Sequence, residues 1–304
     1  MYHDNWIIMI FEIYDVRRKM KHTLLVSTGT MVGRRNGYQY DRALGVIRSL
    51  MDEGLADGTE LMMLPFYYDK LGRVADAVRM AGVNPAVVHC EKEIGTMLSE
   101  AGVLNADGRP DLAEARTGEA IRYFRLNCEM ARALASHRMV LHLWGGMDSD
   151  AHVDYNISVL PRLNEIAAEY GVRLLIENVP SNRGDPMTNW HKALPFLGGA
   201  GFIFDTRFGK LHEQSREILT DGALTEKLEH IHVSDFAGTY RDFKALRPIL
   251  HPGEGSVDFD EIAALLDGIG YAGTVTLESP VMVESELDVP KLRRTMAYLR
   301  TLLG

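Results

Sequence analysis

The chain is expected to fold as a single-domain (β/α)8 barrel, an α/β architecture. Short apolar runs alternate with amphipathic stretches from residue 23 to the C-terminus. Gly82, Gly171 and Gly270 stand between a helical stretch and the next apolar run, where a left-handed cap is wanted. The long connections, 31–39, 92–111 and 236–258, all follow an apolar run, at the end where a barrel builds its site.

Eight runs read as strands: 24–30, 60–67, 86–91, 139–144, 173–178, 201–206, 230–235 and 274–279. Most lack a polar face, as expected of parallel strands covered on both sides. The helical stretches between them are 40–53, 71–81, 112–136, 153–170, 190–197, 215–220, 259–268 and 289–303. In the stretch 153–170, Ile157, Leu160, Leu163, Asn164 and Ala167 share one face at three-and-four spacing. An open doubly wound sheet is the rival arrangement. The glycines after the first strand (Gly29, Gly33, Gly37) miss both the dinucleotide fingerprint and the P-loop spacing.

At 304 residues, with 46% hydrophobic and 25% charged residues, a large core forms without covalent staples. Cys90 and Cys128 have no paired-motif spacing and read as reduced thiols of a cytoplasmic protein. A net charge of −9 argues against nucleic-acid binding, which depends on phosphate neutralisation. No apolar run is long enough to span a bilayer. Residues 1–22 read as an N-terminal extension, with Met20 an alternative start, and residues 23–304 as the barrel. The apolar run 6–11 is short and follows Asp4, a poor signal peptide.

Four strands end in residues able to bind a hard divalent cation: Glu177, Asp205, His232 and Glu278. A charge at the tip of an apolar strand is costly without a partner. Residues two apart in a strand face the same way, so these tips would converge on the barrel mouth. His230 and His232 share a face, and His232, nearer the C-terminal end, is the expected ligand. Such an oxygen-rich set with one imidazole suits one divalent ion: manganese, zinc, magnesium or cobalt. Singly, each residue has a plainer role: a helix cap or Arg pair for the glutamates, an ion pair with Arg207 for Asp205, a core hydrogen bond for His232.

In this order, Ile176-Glu177-Asn178, Phe204-Asp205, His230 to Asp235, His251 to Phe259 and Thr276-Leu277-Glu278 resemble the sugar phosphate isomerase/epimerase superfamily. This is the xylose isomerase-like TIM barrel group, AP endonuclease family 2. The resemblance implies that Glu177, Asp205, His232 and Glu278 bind the metal. It further implies that Glu177 and Glu278 act as the acid/base pair on opposite faces of the substrate. The expected function is therefore isomerisation or epimerisation of a sugar, sugar phosphate or related polyol carbonyl compound, by proton transfer through an enediolate. The alternatives are an inosose dehydratase-like lyase, an AP endonuclease and a non-catalytic binding barrel. Phe208 stands where the epimerases carry a His, and Gly238 where they carry an Arg, with Arg241 nearby. His89 and His142 stand where two extra zinc ligands of the endonuclease branch would lie.

His142 and Trp144 are candidates for a polar and an apolar wall of the substrate site. His251, Arg183 and His212 are further substrate-binding candidates. Arg183, Trp190 and Arg207 follow strands five and six and could contact a phosphate or carboxylate, although solvated surface is the plainer reading for each Arg. Asp235 is expected to orient His232 or a loop. The expected partner is a small carbohydrate, with homo-oligomerisation open and neither nucleic acid nor membrane involved.

Overall fold

The computed structural model describes residues 22–303. The expectation for residues 1–21 lies outside these. Eight parallel strands close into a barrel in sequence order, with β1 hydrogen-bonded to β8. They are β1 Thr23–Ser27, β2 Gly58–Met62, β3 Pro85–His89, β4 Arg138–Leu141, β5 Arg173–Glu177, β6 Gly201–Asp205, β7 Leu228–Val233 and β8 Thr274–Leu277. Each strand candidate is present, but β2 is shifted. Residues 65–67 form a 3-10 turn that opens with Pro65, and Glu60 moves into the strand interior. Closure through the β1–β8 pair, which leaves the sheet no edge strand, makes this the barrel and not the rival open sheet.

The helices are α1 Tyr40–Asp52, α2 Leu71–Ala81, α3 Glu93–Ala106, α4 Pro110–Ala133, α5 Val153–Glu169, α6 Pro186–Ala193, α7 Thr206–Leu211, α8 Ser215–Thr220, α9 Gly222–Thr225, α10 Phe259–Gly268 and α11 Val289–Leu303. A small antiparallel pair, β9 Met282–Val283 and β10 Glu286–Leu287, follows β8. The connection expected at 92–111 contains α3. Its Ile94, Gly95, Met97, Leu98, Ser99, Ala101 and Gly102 are all buried, so apolar positions surround it and no polar face marks it as amphipathic. Gly82, Gly171 and Gly270 have φ of 64°, 70° and 65°, the left-handed cap expected of them.

The barrel interior is layered. Leu25, Val87, Val140, Leu175 and Ile203 form an apolar plug, separate from the larger core between strands and helices. Two residues further along β1, β3, β4, β5 and β6 stand Ser27, His89, His142, Glu177 and Asp205. The two-residue period of the strand therefore places a polar layer directly above the plug. Gly95 of α3 allows that helix to close on the end of β4. A Cβ there would lie 2.3 Å from the His142 carbonyl oxygen.

Candidate metal and substrate site

Glu177 and Asp205 are the last residues of β5 and β6, and both are fully buried. Glu278 lies one residue past β8, and its N–H continues the ladder by donating to the Val233 carbonyl at 3.0 Å. His232 is paired in register with Asp205 on one side and Thr276 on the other. One side-chain atom from each of Glu177, Asp205, His232 and Glu278 lies within 4.8 Å of the others. Two overlapping groups have the same property: Glu60, His89, His232 and Glu278, and His89, His142 and Glu177.

Hydrogen bonds settle which atoms face inward. Asp205 Oδ1 accepts from the N–H of Phe208 at 2.9 Å and caps α7, while Oδ2 is buried without a hydrogen-bond partner. The plainer role of a helix cap is thus real, but it uses only one of the two oxygens. The alternative pair with Arg207 does not form. His89 Nδ1–H donates to the Cys90 carbonyl at 2.7 Å, turning Nε2 toward Glu177 Oε2 at 3.4 Å. His142 Nε2 is 2.7 Å from the same oxygen. His232 Nδ1 faces Glu177 Oε1 at 3.2 Å and Glu278 Oε2 at 3.5 Å.

The other face of His232 is held by Glu60, a residue that the sequence reading passed over. Glu60 Oε2 accepts from His232 Nε2 at 3.0 Å, His230 Nε2 at 2.7 Å and Thr276 Oγ1 at 3.0 Å. His230 is bound on its other nitrogen to Thr274 and lies below the cluster. Glu60 therefore fixes the ring of His232 with Nδ1 toward the carboxylates, as an outer carboxylate does for a metal-ligating histidine. Its sequence signal was a lone acid between Thr59 and Leu61 in an apolar run.

The charges are strongly coupled. Burial disfavours an ionised Glu177, but His142 and His232 outweigh it and hold the carboxyl well below the usual range. Glu60 is likewise ionised despite burial, through His232 and His230. Burial also opposes the charged rings, yet Glu177 raises His89 to about 8. Glu278, Glu60 and Glu177 lift His232 well above its ordinary value against the same burial. Burial pushes Asp205 up to about 7; Arg207 opposes this, and Glu177 and Glu278 add to it. The shifts favour ionised Glu177 and Glu60 beside protonated His89 and His232, and a divalent cation would supply the same positive charge in place of those protons. The orphaned Asp205 Oδ2 and the mixed carboxylate–imidazole donor set suit such an ion.

A cavity of about 460 Å³ opens above the cluster, lined in part by His89, His142, Glu177 and Glu278. The structure does not bring four substrate candidates to it. Trp144 is fully buried in the core, because β4 ends at Leu141 and the strand alternation does not extend to residue 144. His251 is buried and bound to Thr295 Oγ1 at 2.8 Å and the Pro280 carbonyl at 3.0 Å, tying the loop after β7 to α11. Arg183 is exposed, and its N–H is held by Asp150 beside a different cleft. His212 is buried, its Nε2 accepting from the Ser181 N–H at 3.2 Å. Trp190 stacks on Phe202 in the core. Arg241 binds the carbonyls of Ser181, Asn182 and Gly184. Asp235 accepts from Gly253, Gly255 and Val257 N–H groups and so shapes the loop after β7, not His232.

His212 has a consequence for stability. Burial, and next the nearby Arg241, lower it to about 4. The unfolded chain, with a pKa of about 6.5, takes up a proton that the fold refuses. The expected result is stability that is present above about pH 6.5 and falls progressively toward pH 4. His212→Asn should flatten this slope in urea unfolding measured across that window; an unchanged slope contradicts it.

The chain is 29% identical over 192 residues to an uncharacterized protein of Methanocaldococcus jannaschii, covering 56% of this chain and 61% of that one. It is 27% identical over 154 residues to an L-ribulose 3-epimerase of Methylomonas sp., covering 48% of each. The matches thus span less than two thirds of either relative. Among solved structures, the IolI protein with a bound zinc atom superposes with a TM-score of 0.66 at 16% identity, covering 92% of this chain and 98% of the other. Such a likeness shows the shared fold. The family model for the xylose isomerase-like TIM barrel matches residues 57–302. A closed eight-stranded barrel and a family match over most of its length agree: the chain belongs to the xylose isomerase-like TIM barrel family.

Proposed function

We propose that the chain is a cytoplasmic, divalent-metal-dependent isomerase or epimerase acting on a sugar, sugar phosphate or related polyol carbonyl compound. The observation that carries this reading is the convergence of Glu177, Asp205, His232 and Glu278 beneath an open cavity. The epimerase name of one relative and the zinc named in one similar structure support it. Among the described residues, no helix is long and apolar enough to cross a membrane.

In this reading Glu177, Asp205, His232 and Glu278 hold one manganese, zinc, magnesium or cobalt ion. When bound, the ion supplies Lewis-acid polarisation of a substrate carbonyl and its neighbouring hydroxyl. Glu278 as carboxylate would take the proton beside the carbonyl and become the carboxylic acid. Glu177, after taking up a proton from solvent, would return that proton to the opposite face or the adjacent carbon. Glu278, less buried than Glu177, is the base exposed to the cavity. His142, partly exposed on the same cavity wall, hydrogen-bonds a substrate oxygen. The test is a screen of sugars in heavy water: deuterium should enter the carbon beside the carbonyl only in metal-loaded protein. No exchange with any carbonyl sugar would overturn the assignment.

Glu60 acts at one remove. Glu60→Gln should weaken metal affinity by about 10–100-fold, because the neutral amide no longer supplies the carboxylate charge that holds and polarises the His232 ring. Titration calorimetry with manganese checks this; an unchanged affinity would make Glu60 merely structural.

A further inference from the structure

Besides the acids Glu91, Glu177 and Glu278, the cavity above the cluster is lined by three cationic side chains, Arg207, Lys92 and Arg247, that form no ion pair among the described residues. Arg207 lies two residues past Asp205 in the first turn of α7 and is 7% exposed. Its guanidinium sits over the Phe208 ring, with Cζ 4.5 Å from the centroid. Nη1 makes one long hydrogen bond, 3.4 Å, to the Leu246 carbonyl, and Nε is buried without a partner. Asp205 is the nearest acid in sequence, but its carboxylate caps α7 and faces the cluster. Among the described residues Arg207 forms no ion pair. Lys92 and Arg247 are exposed on the same cavity and are likewise without an ion pair among those residues.

A buried guanidinium with a free donor edge is costly to hold. Its planar fork matches the oxygens of a phosphate or carboxylate. A neutral polyol would leave that edge without an anion. We propose that Arg207, with Lys92 and Arg247 at the rim, forms an anion subsite, so that the substrate carries a phosphate ester or carboxylate besides its reacting carbonyl. This names the substrate class of the isomerase site and rests on that reading for the carbonyl end. It also separates Arg207 from the solvated role that its sequence context suggested.

Titration calorimetry on metal-loaded protein tests the subsite with inorganic phosphate, fructose 6-phosphate against fructose, and glucuronate against glucose. An anionic probe should bind at least tenfold more tightly than its neutral counterpart, and the phosphate and uronate arms tell the two sources apart. Arg207→Met should weaken that anion by tenfold or more at unchanged metal content, and Arg207→Lys should fall between. Equal binding of charged and neutral probes by the wild-type protein would overturn the proposal, and so would an Arg207→Met variant that binds like wild type. Should Arg207→Met not fold, the wild-type comparison and Arg207→Lys decide. Solvent exchange on neutral sugars without anion preference would sink the subsite alone. Anion binding lost in Arg207→Met, with no exchange on any sugar, would sink the isomerase reading alone.

Discussion

At matched metal occupancy, Glu278→Gln is expected to reduce metal-dependent solvent exchange by about 10²–10⁴-fold, the range that a positioned general acid or base contributes. The side chain is 12% exposed and lines the cavity, so the substitution removes a proton carrier where substrate enters and leaves the barrel plug untouched. The amide is nearly isosteric, and the backbone bond to Val233 is unaffected. Far-ultraviolet circular dichroism should be unchanged. Exchange at the wild-type rate would show that Glu278 does not carry the proton.

The second large effect separates two buried acids of the same cluster. Glu177 lies beside three imidazoles, those of His89, His142 and His232. Glu177→Gln leaves these rings without their counter-charge and should cost the metal-free protein on the order of 3–5 kcal/mol, the scale of breaking a buried pair from one side. Asp205 is the opposite case, since burial and neighbouring acids push it up to about 7. Its folded pKa is raised above the unfolded value of about 3.9, so its contribution is fully present at pH values below the latter. That contribution is lost as pH rises through about 7. Asp205→Asn should therefore be neutral or stabilising in metal-free protein at pH 8. Both variants should lose metal affinity. Urea unfolding of the two at pH 8 decides it: equal destabilisation would mean that the cluster's charges are not arranged as described.

The quartet was legible because parallel strands bury both faces, so a charged strand tip stands out against an apolar run. Period two then assigns Glu177 above Leu175 and Asp205 above Ile203 without further information. The same rule misplaced Trp144, because β4 stops at Leu141 and the chain turns before alternation reaches that residue. Glu60 was hidden for a related reason. The apolar run after it extends into the Pro65 turn, which moved the expected strand toward the C-terminus and made an interior acid look like a strand's first residue. Helix α3 escaped notice because it is buried nearly all round, and amphipathic periodicity detects only helices with a wet face. Arg207 looked like solvated charge, since nothing in the sequence shows that α7 begins directly at Asp205 and draws the guanidinium beneath Leu246.

The central claim is that four side chains from neighbouring strands share one ion. A crystal structure of manganese-loaded protein, with anomalous data, tests it most directly. The expected result is one full-occupancy peak about 2.0–2.3 Å from an oxygen of each of Glu177, Asp205 and Glu278 and from Nδ1 of His232. A peak bound elsewhere, or no peak at saturating manganese, would contradict the account.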